Sequence, residues 1–440
     1  MADHAYHPET LAIHAGQIPD AATGARALPI YQTTSFVFDS AEHAASLFNL
    51  QTFGNVYSRL SNPTVAALEE RVAALEGGRA GLASASGMAA EAIALMTLLQ
   101  QGDHIVAAGA LYGGSVSMLA VNLAKLGIET TFVDAASADA FAAAMRQNTR
   151  AVFAESLGNP SLHLLDIGAV AEVAHAHGVP LIVDNTVPSP FLCNPIQLGA
   201  DIVVHSATKY LAGHGTTLGG VLVESGKFPW DNGKFPGMTD PSPGYHGVKF
   251  YETFGDFGFT MRARMETLRV YGAALSPMSA WQILQGVETL PVRMERHCRN
   301  ALAVAQFLRN HPRVSWVNYP GLPDHAQHEL LAKQMRRVDG APAGSGLLAF
   351  GVKSAAGDAE GGRRAGAKFI EGAQFMSHLA NIGDTRTLII HPASTTHRQL
   401  DDAQQLAAGV LPDMVRISVG LEHIDDILWD IDQALARTNE

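Results

Sequence analysis

Apolar positions along the first two thirds of the chain switch repeatedly between helical and strand-like spacing. A helix is predicted to begin at Pro63, with Asn62 as its N-cap, because apolar side chains recur every three or four positions until Gly77 interrupts them. Beyond this helix, short apolar runs without polar alternation are separated by segments with helical spacing. Strands buried on both faces have this pattern, so we expect an α/β fold with a mostly parallel, doubly wound sheet between helices.

The predicted elements after residue 80 follow one another in regular order. Predicted helices span residues 88–101, 115–126, 138–147 and 167–177, and predicted strands span residues 104–108, 129–133, 151–154, 180–183, 202–204 and 219–223. Further helices are predicted at 260–275, 278–290 and 424–434, with strands at 346–351, 388–391 and 414–419.

These elements divide the chain into three predicted parts. Residues 1–60 lack clear periodicity and are predicted to form an arm that contacts a neighbouring subunit. Residues 61–275 are predicted to form the large domain, and residues 276–440 a smaller C-terminal α+β domain. Residues 225–260 are rich in Gly, Pro, Phe and Tyr, and we expect a long loop there with a functional or interface role.

Composition narrows the class of protein. Charged residues make up 16% of the chain and the net charge is −12, so nucleic acid and anionic membranes are poor candidates as partners. The two cysteines, Cys193 and Cys298, are too far apart for a disulfide framework or a zinc motif. The N-terminus has no apolar segment typical of a signal peptide, so the expected location is the cytoplasm.

Two strand ends carry the strongest chemical signal. Lys209 follows a buried-type strand, and a lysine there projects its amine into the crevice at the carboxyl edge of the sheet, where open α/β sheets bind ligands. Desolvation would lower the pKa of this amine and make it a nucleophile for a Schiff base. Asp184 ends another strand. Taken alone, a lysine in this position is more often solvated, and an aspartate at a strand end more often caps a loop. Together they are the pair that pyridoxal phosphate requires, the lysine for its aldehyde and the aspartate for its ring nitrogen.

The phosphate of such a cofactor is expected at a helix N-terminus. Ser86 and Gly87 come immediately before the helix at 88–101, and glycine lets the backbone approach an anion closely. Simple helix capping explains this pair equally well. Ser206 and Thr208 offer further hydroxyl donors beside the lysine.

Two loop residues are candidates for contacts with the cofactor ring. Tyr112, after the strand at 104–108, could stack on the ring or merely cover apolar surface. Asn159, in the sequence ESLGNP, could reach the ring hydroxyl or simply form a turn before proline.

The order of five short motifs, SASGM, LYGG, ESLGNP, VDNT and HSATKY, resembles the Cys/Met-metabolism family of fold-type I pyridoxal-phosphate enzymes. The resemblance extends over nearly the whole chain, from Leu11 to Glu422. It implies that Lys209 forms the internal aldimine, that Asp184 pairs with the pyridine nitrogen and that Tyr112 stacks on the ring.

The resemblance also implies roles for residues elsewhere in the chain. The residues that would hold the cofactor phosphate are Ser86, Gly87, Met88, Ser206 and Thr208. Tyr57 and Arg59, in YSRLSNPT, look like the pair that reaches the phosphate of the adjacent subunit, and Arg416 looks like the arginine that binds the substrate carboxylate. From the residues alone, Arg59 could instead be a surface residue, and Arg416 could pair with Glu422.

Three features resemble the O-acetylhomoserine sulfhydrylases within this family. The first is the segment NIGDTRTLIIHPASTTH, which begins at Asn381. The second is the chain length, including the long insertion at residues 225–260, and the third is Gly114, where methionine γ-lyases have a cysteine. The implied reaction is a γ-replacement in which O-acetyl-L-homoserine and sulfide, or methanethiol, give homocysteine, or methionine, and acetate. Cystathionine γ-synthase, O-succinylhomoserine sulfhydrylase and a γ-lyase are the alternatives.

The same resemblance implies a homotetramer built from dimers with shared active sites. Asn381 and Tyr57 are expected to contact the substrate together with the carboxylate-binding arginine. Tyr57 and Tyr112 are both candidates for the second acid/base, and the position of Arg386 relative to the substrate stays open.

Three other classes of protein fit the sequence less well. A nicotinamide oxidoreductase would require a G-x-G-x-x-G segment after an early strand, and the chain has none. A metal hydrolase is suggested by nineteen histidines, but the pairs His175/His177, His325/His328 and His391/His397 lack carboxylates at ligand spacing. A catalytically inactive interaction protein would not need Lys209 and Asp184.

Overall fold

A seven-stranded sheet dominates the first half of the computed structural model, which describes residues 5–354, 357–398 and 401–439. Residues 1–4 of the predicted N-terminal arm lie outside the described residues. The strands of this sheet are β1 (Ala80–Ser84), β2 (His104–Ala108), β3 (Glu129–Val133), β4 (Thr149–Glu155), β5 (Leu181–Asp184), β6 (Ile202–His205) and β7 (Gly220–Glu224). Their spatial order is β1-β7-β6-β5-β4-β2-β3.

The sheet is mostly parallel, as predicted. Strands β2 to β6 pair in parallel, and β7 alone runs antiparallel to its neighbours β6 and β1. Every residue of β2, β6 and β7 is buried. Because successive side chains of a strand point to opposite faces, this burial means that both faces of the sheet are covered.

Helices α1 to α12 occur in the same part of the chain. They are α1 (Pro8–His14), α2 (Ala41–Phe48), α3 (Pro63–Glu76), α4 (Gly87–Leu98), α5 (Gly113–Ser117), α6 (Ala138–Ala144), α7 (Ile167–Ala176), α8 (Ser189–Leu192), α9 (Pro236–Thr239), α10 (Phe250–Phe254), α11 (Gly258–Arg262) and α12 (Arg269–Tyr271). Two π-helical segments, Met118–Leu123 and Ala263–Leu268, continue α5 and α11.

The start and end of α3 confirm the signals in its sequence. The Asn62 side chain accepts a hydrogen bond from the Thr64 backbone N–H at 3.0 Å, and Pro63 occupies the first helical position. Gly77 ends the helix with φ of 70°, a left-handed conformation that glycine adopts without a steric penalty.

The first 60 residues are more ordered than an aperiodic arm. They contain α1 and α2, in which Ala12 and Leu47 respectively are the buried residues. With so few buried positions, neither helix produces a clear apolar stripe in the sequence.

The segment at residues 225–260, predicted as a long loop, contributes to the hydrophobic core. Trp230 is almost fully buried and stacks on Phe259, with ring centroids 5.4 Å apart. The buried Glu224 carboxylate, at the end of β7, accepts hydrogen bonds from the backbone N–H groups of Phe259 and Thr260. The Phe and Tyr content of this segment therefore reflects packing, and α11 contacts the strands β1 and β7 at one side of the sheet.

A second, five-stranded sheet lies in the C-terminal part. Its strands are β8 (Val314–Asn318), β11 (Leu347–Val352), β12 (Ser377–His378), β13 (Leu388–Ile390) and β14 (Met414–Ser418), in the order β12-β13-β14-β11-β8, and a separate hairpin consists of β9 (Arg337–Val338) and β10 (Ala341–Pro342). The accompanying helices are α13 (Pro277–Glu288), α14 (Leu290–Asn310), α15 (His328–Gln334), α16 (Ala359–Gly372), α17 (Asp402–Ala407) and α18 (Ile424–Ala436).

Two hydrophobic clusters form the core, and α14 belongs to both. The first surrounds the seven-stranded sheet and also includes Leu347 and Ala349 of β11, and the second lies on the five-stranded sheet. The residues of α14 up to Cys298 pack in the first cluster, and those from Ala301 onward pack in the second. The predicted division of the chain at residues 275/276 stays a prediction, since one continuous helix connects the two cores.

Candidate active site

The carboxyl ends of the neighbouring strands β5 and β6 open into a cavity of about 230 Å³. Asp184 is the last residue of β5, and Lys209 lies in the turn that follows β6. The residues that line the cavity include most of the predicted site: Ser86, Gly87, Met88, Tyr112, Asn159, Asp184, Ser206, Thr208, Lys209, Asn381 and Arg416. The cavity therefore brings together residues from both sheets.

The Lys209 amine is held in a buried position. Its Nζ donates a hydrogen bond to Asn381 Oδ1 at 2.5 Å, a contact between the first sheet and the C-terminal part of the chain. Burial, and next the nearby Arg416 cation, lower the pKa of Lys209 to about 8. An amine with this pKa is available in its neutral, nucleophilic form near physiological pH.

Asp184 lies among other buried carboxyl groups. It accepts a hydrogen bond from the Thr186 backbone N–H at 2.7 Å. Burial raises its pKa, and the hydrogen bonds from Thr186 act in the opposite direction. Glu91 and Glu155 line the same cavity. The pKa of each is raised well above its usual range, mainly by burial and to a lesser extent by the charge of Asp184. A cationic ring nitrogen beside Asp184 would partly neutralise this group.

The N-terminus of α4 faces the turn that carries the lysine. The Ser86 hydroxyl accepts a hydrogen bond from the Ala89 backbone N–H at 3.2 Å, so it is the N-cap of α4. A Cβ atom on Gly87 would lie only 2.6 Å from the Cβ of Ser206, so the close approach of the two segments requires glycine. Backbone N–H groups of a helix start and the hydroxyls of Ser206 and Thr208 thus surround one end of the cavity, which suits a phosphate group.

Arg416, on β14, offers a binding site for a second anion. Its guanidinium is buried and donates from Nη1 to Asn159 Oδ1 at 2.9 Å and from Nη2 to the Asn381 backbone oxygen at 3.0 Å. Its Nε is buried and has no hydrogen-bond partner among the described residues. Burial lowers its pKa to about 10, so it is still a cation at neutral pH. An unsatisfied, buried N–H of a cation favours a carboxylate ligand.

From the residues alone, Arg416 could also have paired with Glu422. Glu422 accepts hydrogen bonds from the Thr387 backbone N–H and hydroxyl, so a structural pair between Arg416 and Glu422 is wrong. Asn159, expected at the ring hydroxyl, contacts Arg416 in this structure.

Tyr112 lies at the start of α5, and half of its surface is exposed at the cavity. Its backbone N–H donates to Glu155 Oε1 at 2.5 Å, and the other oxygen of Glu155 accepts from the Asn159 backbone N–H at 3.2 Å. One buried carboxylate thus fixes the backbone of both predicted ring contacts.

Glu91 and Glu155 were not among the residues predicted for the site. A signal for each is present in the sequence, since Glu91 is the one charged residue of the apolar helix α4, and Glu155 ends strand β4 beside Asp184. An acidic residue within a buried element is rare without a functional or structural partner.

The cavity of the same chain is not lined by two predicted residues, Tyr57 and Arg59, nor by Arg386, whose position relative to the substrate the sequence left open. Tyr57 and Arg59 are exposed, the Arg59 guanidinium lies 5.5 Å from the centroid of the Tyr57 ring, and Arg59 Nη1 donates to the Arg269 backbone oxygen at 2.5 Å. Arg386, also exposed, lies 3.6 Å from the Asp384 carboxylate.

The part of the chain that the structure describes has no group of three His, Cys, Asp or Glu residues placed to hold a metal ion. Within the same residues, no helix has the length and apolar character that crossing a membrane requires.

Comparison with known proteins agrees with this geometry. A family model described as Cys/Met metabolism PLP-dependent enzyme matches residues 9–436. The O-acetyl-L-homoserine sulfhydrylase of Leptospira meyeri is 53% identical over 98% of this chain and 97% of its own length, and the homocysteine synthase of Schizosaccharomyces pombe is 49% identical over 98% of each.

A solved structure is also similar over the whole chain. The crystal structure of a putative O-acetylhomoserine (thiol)-lyase from Campylobacter jejuni, which holds a pyridoxyl-lysine phosphate residue, superposes with a TM-score of 0.93 at 40% identity, covering 98% of this chain and 100% of that one.

A lysine and an aspartate on adjacent strand ends, beside a helix N-terminus, suit the aldehyde, ring nitrogen and phosphate of pyridoxal phosphate, and the present site has this arrangement. The family model covers nearly the full length and the relatives are about half identical in sequence. The chain therefore belongs to the Cys/Met-metabolism family of PLP-dependent enzymes.

Proposed function

We propose that the protein catalyses a γ-replacement in which O-acetyl-L-homoserine and sulfide give L-homocysteine and acetate. The observation that carries this proposal is the set of cations in the cavity. Among the described residues that line it, Lys209 and Arg416 are the only cationic side chains. Arg416 can neutralise one substrate carboxylate, whereas the succinyl ester would bring a second carboxylate without a partner, at a considerable desolvation cost.

The bound cofactor would be held by groups that the cavity already presents. Lys209 would carry it covalently, Asp184 would bind its ring nitrogen, and Tyr112 would stack on its ring. The phosphate would lie at the N-terminus of α4, against Ser86, Gly87, Met88, Ser206 and Thr208. Pyridoxal phosphate supplies an electron sink for the carbanions that form when protons leave the substrate.

The side chains of the site would then bind the substrate and move its protons. Arg416 would bind the α-carboxylate through its unsatisfied Nε, and Asn381 would contact the substrate once Lys209 no longer donates to its amide oxygen. The Lys209 amine, with a pKa of about 8, can accept the proton from Cα and return it later. A second proton leaves Cβ, the C–O bond at Cγ breaks to release acetate, and sulfide forms the new C–S bond at the same carbon.

The second acid/base is one of two tyrosines. Tyr112 lines the cavity of its own chain, and Tyr57 would reach it from a neighbouring subunit. Replacement of each by phenylalanine, followed by measurement of the exchange of Cβ protons with solvent deuterium, assigns this role to the residue whose loss abolishes the exchange.

We also propose that the enzyme is a cytoplasmic homotetramer built from dimers that share active sites. Tyr57 and Arg59 do not line the cavity of their own chain, and nearby apolar side chains are exposed, including Val37 and Phe53, with relative exposures of 95% and 75%. A second copy that covers this surface would bury these residues and bring its own Arg59 to the phosphate.

The two proposals have separate tests. For the reaction, steady-state rates with O-acetyl- and O-succinyl-homoserine are compared against sulfide, methanethiol and cysteine. The expected result is the largest kcat/KM for the acetyl ester with sulfide. A larger value for the succinyl ester with sulfide would replace this function by that of an O-succinylhomoserine sulfhydrylase. Preferential formation of cystathionine from cysteine would replace it by that of a γ-synthase.

For the shared site, inactive Arg59→Ala subunits are mixed with inactive Lys209→Ala subunits. Hybrid dimers should recover part of the activity, because one of their two sites has both an intact lysine and an intact arginine. No recovery in hybrids isolated by mass would contradict the crossover of Arg59.

A further inference from the structure

Glu91 is an acidic residue of the cavity wall to which the proposed reaction gives no role. It is the one charged side chain of α4 (GMAAEAIALMTL), the helix whose N-terminus faces the proposed phosphate position. It lines the same cavity as Asp184 and Lys209, and its relative exposure is 3%. A carboxyl group this deeply buried requires hydrogen-bond partners.

The partners of Glu91 indicate which of its oxygens carries a proton. Its Oε1 accepts a hydrogen bond from the Ser115 hydroxyl at 3.0 Å. Its Oε2 is buried and has no hydrogen-bond partner among the described residues. The Asp184 carboxyl group lines the same cavity, and its charge is one of the causes that raise the pKa of Glu91. A buried carboxylate oxygen without a donor is costly, so a proton on Oε2 is favoured, and the resulting O–H is available to donate to Asp184.

The surroundings also indicate which of the two acids keeps that proton. Burial, and then the charge of Asp184, raise the pKa of Glu91 well above its usual range. The pKa of Asp184 is also raised by burial, but hydrogen bonds from Thr186, including one from its backbone N–H at 2.7 Å, lower it. Asp184 accepts from this N–H whereas Glu91 Oε2 has no donor, so Asp184 is the better stabilised anion and Glu91 the neutral partner.

We propose that Glu91 is a positioning residue, whose protonated carboxyl group donates a hydrogen bond to Asp184 and holds it as the ionised acceptor for the ring nitrogen of the cofactor. This inference rests on the pyridoxal-phosphate site and on the role of Asp184, and does not depend on the identity of the acyl donor. The donated hydrogen bond has two effects. It orients the aspartate, and it makes the aspartate less basic, so that the shared proton stays on the ring nitrogen.

Two variants of Glu91 test whether its side chain acts as a hydrogen-bond donor, as a negative charge or only as a group that fills space. Glu91→Gln keeps an acceptor for Ser115 and a neutral donor for Asp184. Glu91→Met has a similar size but no donor. Thr97→Val is the matched control, because the Thr97 hydroxyl is also buried on α4 and does not line the cavity. It donates to the Ile93 backbone oxygen at 2.7 Å and lies 2.8 Å from the Thr267 hydroxyl, so its loss also removes buried hydrogen bonds.

The readout is the nitrogen NMR shift of the ring in holoenzyme prepared with ¹⁵N-labelled pyridoxal phosphate, followed by kcat and KM. We expect Glu91→Gln and Thr97→Val to keep the shift of a protonated ring and a kcat within about threefold of the parent. Glu91→Met should move the shift toward the unprotonated value and lower kcat about tenfold or more with little change in KM, as loss of a hydrogen bond to a charged group does.

Several results would overturn the proposal. They are loss of the protonated signal in Glu91→Gln, its retention with full kcat in Glu91→Met, and an equal loss in Thr97→Val, which would assign the effect to helix packing. If Glu91→Met does not fold, the infrared difference spectrum between the parent and Glu91→Gln holoenzymes decides. Disappearance of a protonated carboxyl band supports the proposal, and an unchanged spectrum overturns it.

These measurements also distinguish the inference from the proposed reaction. The nitrogen shift is recorded without substrate, so a different acyl donor or sulfur acceptor would leave it unchanged. An unprotonated ring in the parent enzyme would overturn the inference together with the role of Asp184.

Discussion

Raising the pH of the apoenzyme should accelerate its reaction with pyridoxal phosphate, with a midpoint near pH 8 rather than near the ordinary lysine value of 10.5. Burial of Lys209, and next the nearby Arg416 cation, disfavour the charged amine and so lower its pKa. At pH 7 about one amine in ten would be neutral, against about one in 3,000 for an ordinary lysine, which is a difference of about 300-fold. Since the neutral amine is the nucleophile, the rate should follow this fraction.

The assay is the rate at which the visible absorption of the bound cofactor appears after mixing, measured across the pH range. The same reaction with Nα-acetyl-lysine amide is the control. Its rate per neutral amine, calculated with the ordinary lysine pKa of 10.5, gives the effect of titrating the cofactor itself, and the rate of the apoenzyme is divided by this quantity. Arg416→Met provides the matched perturbation. It removes a like charge, so the pKa of Lys209 should rise and the midpoint should move to higher pH.

Two results would refute this reasoning. A midpoint near 10.5 in the parent apoenzyme would mean that the amine is solvated rather than buried. A downward movement of the midpoint in Arg416→Met would mean that the arginine does not act on Lys209 as a like charge.

Three further substitutions test the parts of the site one at a time. Lys209→Ala should lose the visible absorption of covalently held cofactor and all turnover, and normal turnover would remove the residue from this role. Asp184→Asn should keep the fold, as checked by circular dichroism, but should lower kcat about 100-fold or more, because a charge-assisted hydrogen bond worth up to about 3 kcal/mol is lost. An unchanged kcat would mean that another residue binds the ring nitrogen. Gly87→Ala should weaken cofactor binding in equilibrium dialysis, because the new Cβ would lie 2.6 Å from the Cβ of Ser206. Gly168→Ala on α7 is the control, since the nearest atoms to its new Cβ would lie at 3.8 Å, and cofactor binding should be unchanged.

The positions of Lys209 and Asp184 could be predicted because they depend on local pattern. Each follows or ends a short apolar run, and parallel strands place their carboxyl ends at one edge of the sheet. The contacts of Arg416 with Asn159 and Asn381 could not be predicted. Arg416 and Asn159 are separated by 257 residues in the sequence and meet only because the two sheets pack together.

Two features of the fold were missed for a similar reason. Strand β1 consists mainly of small residues with little strand propensity, and it is a strand because it pairs with β7, as in the register of Ala80 with Glu224. The aromatic residues of the 225–260 segment have no periodic spacing, so their burial around Trp230 had no signature in the sequence.

The single helix α14 has a consequence for how substrate enters. Rotation of one core against the other would have to bend this helix between Cys298 and Ala301, since it contains no loop that could act as a hinge. The wide closing motions that some enzymes use to assemble their sites are thus opposed by the backbone hydrogen bonds of a continuous helix. The entropic cost of bringing Lys209, Asn381 and Arg416 together is met when the chain folds. The substrate therefore binds to a preorganised pocket, and its binding energy does not have to offset that cost.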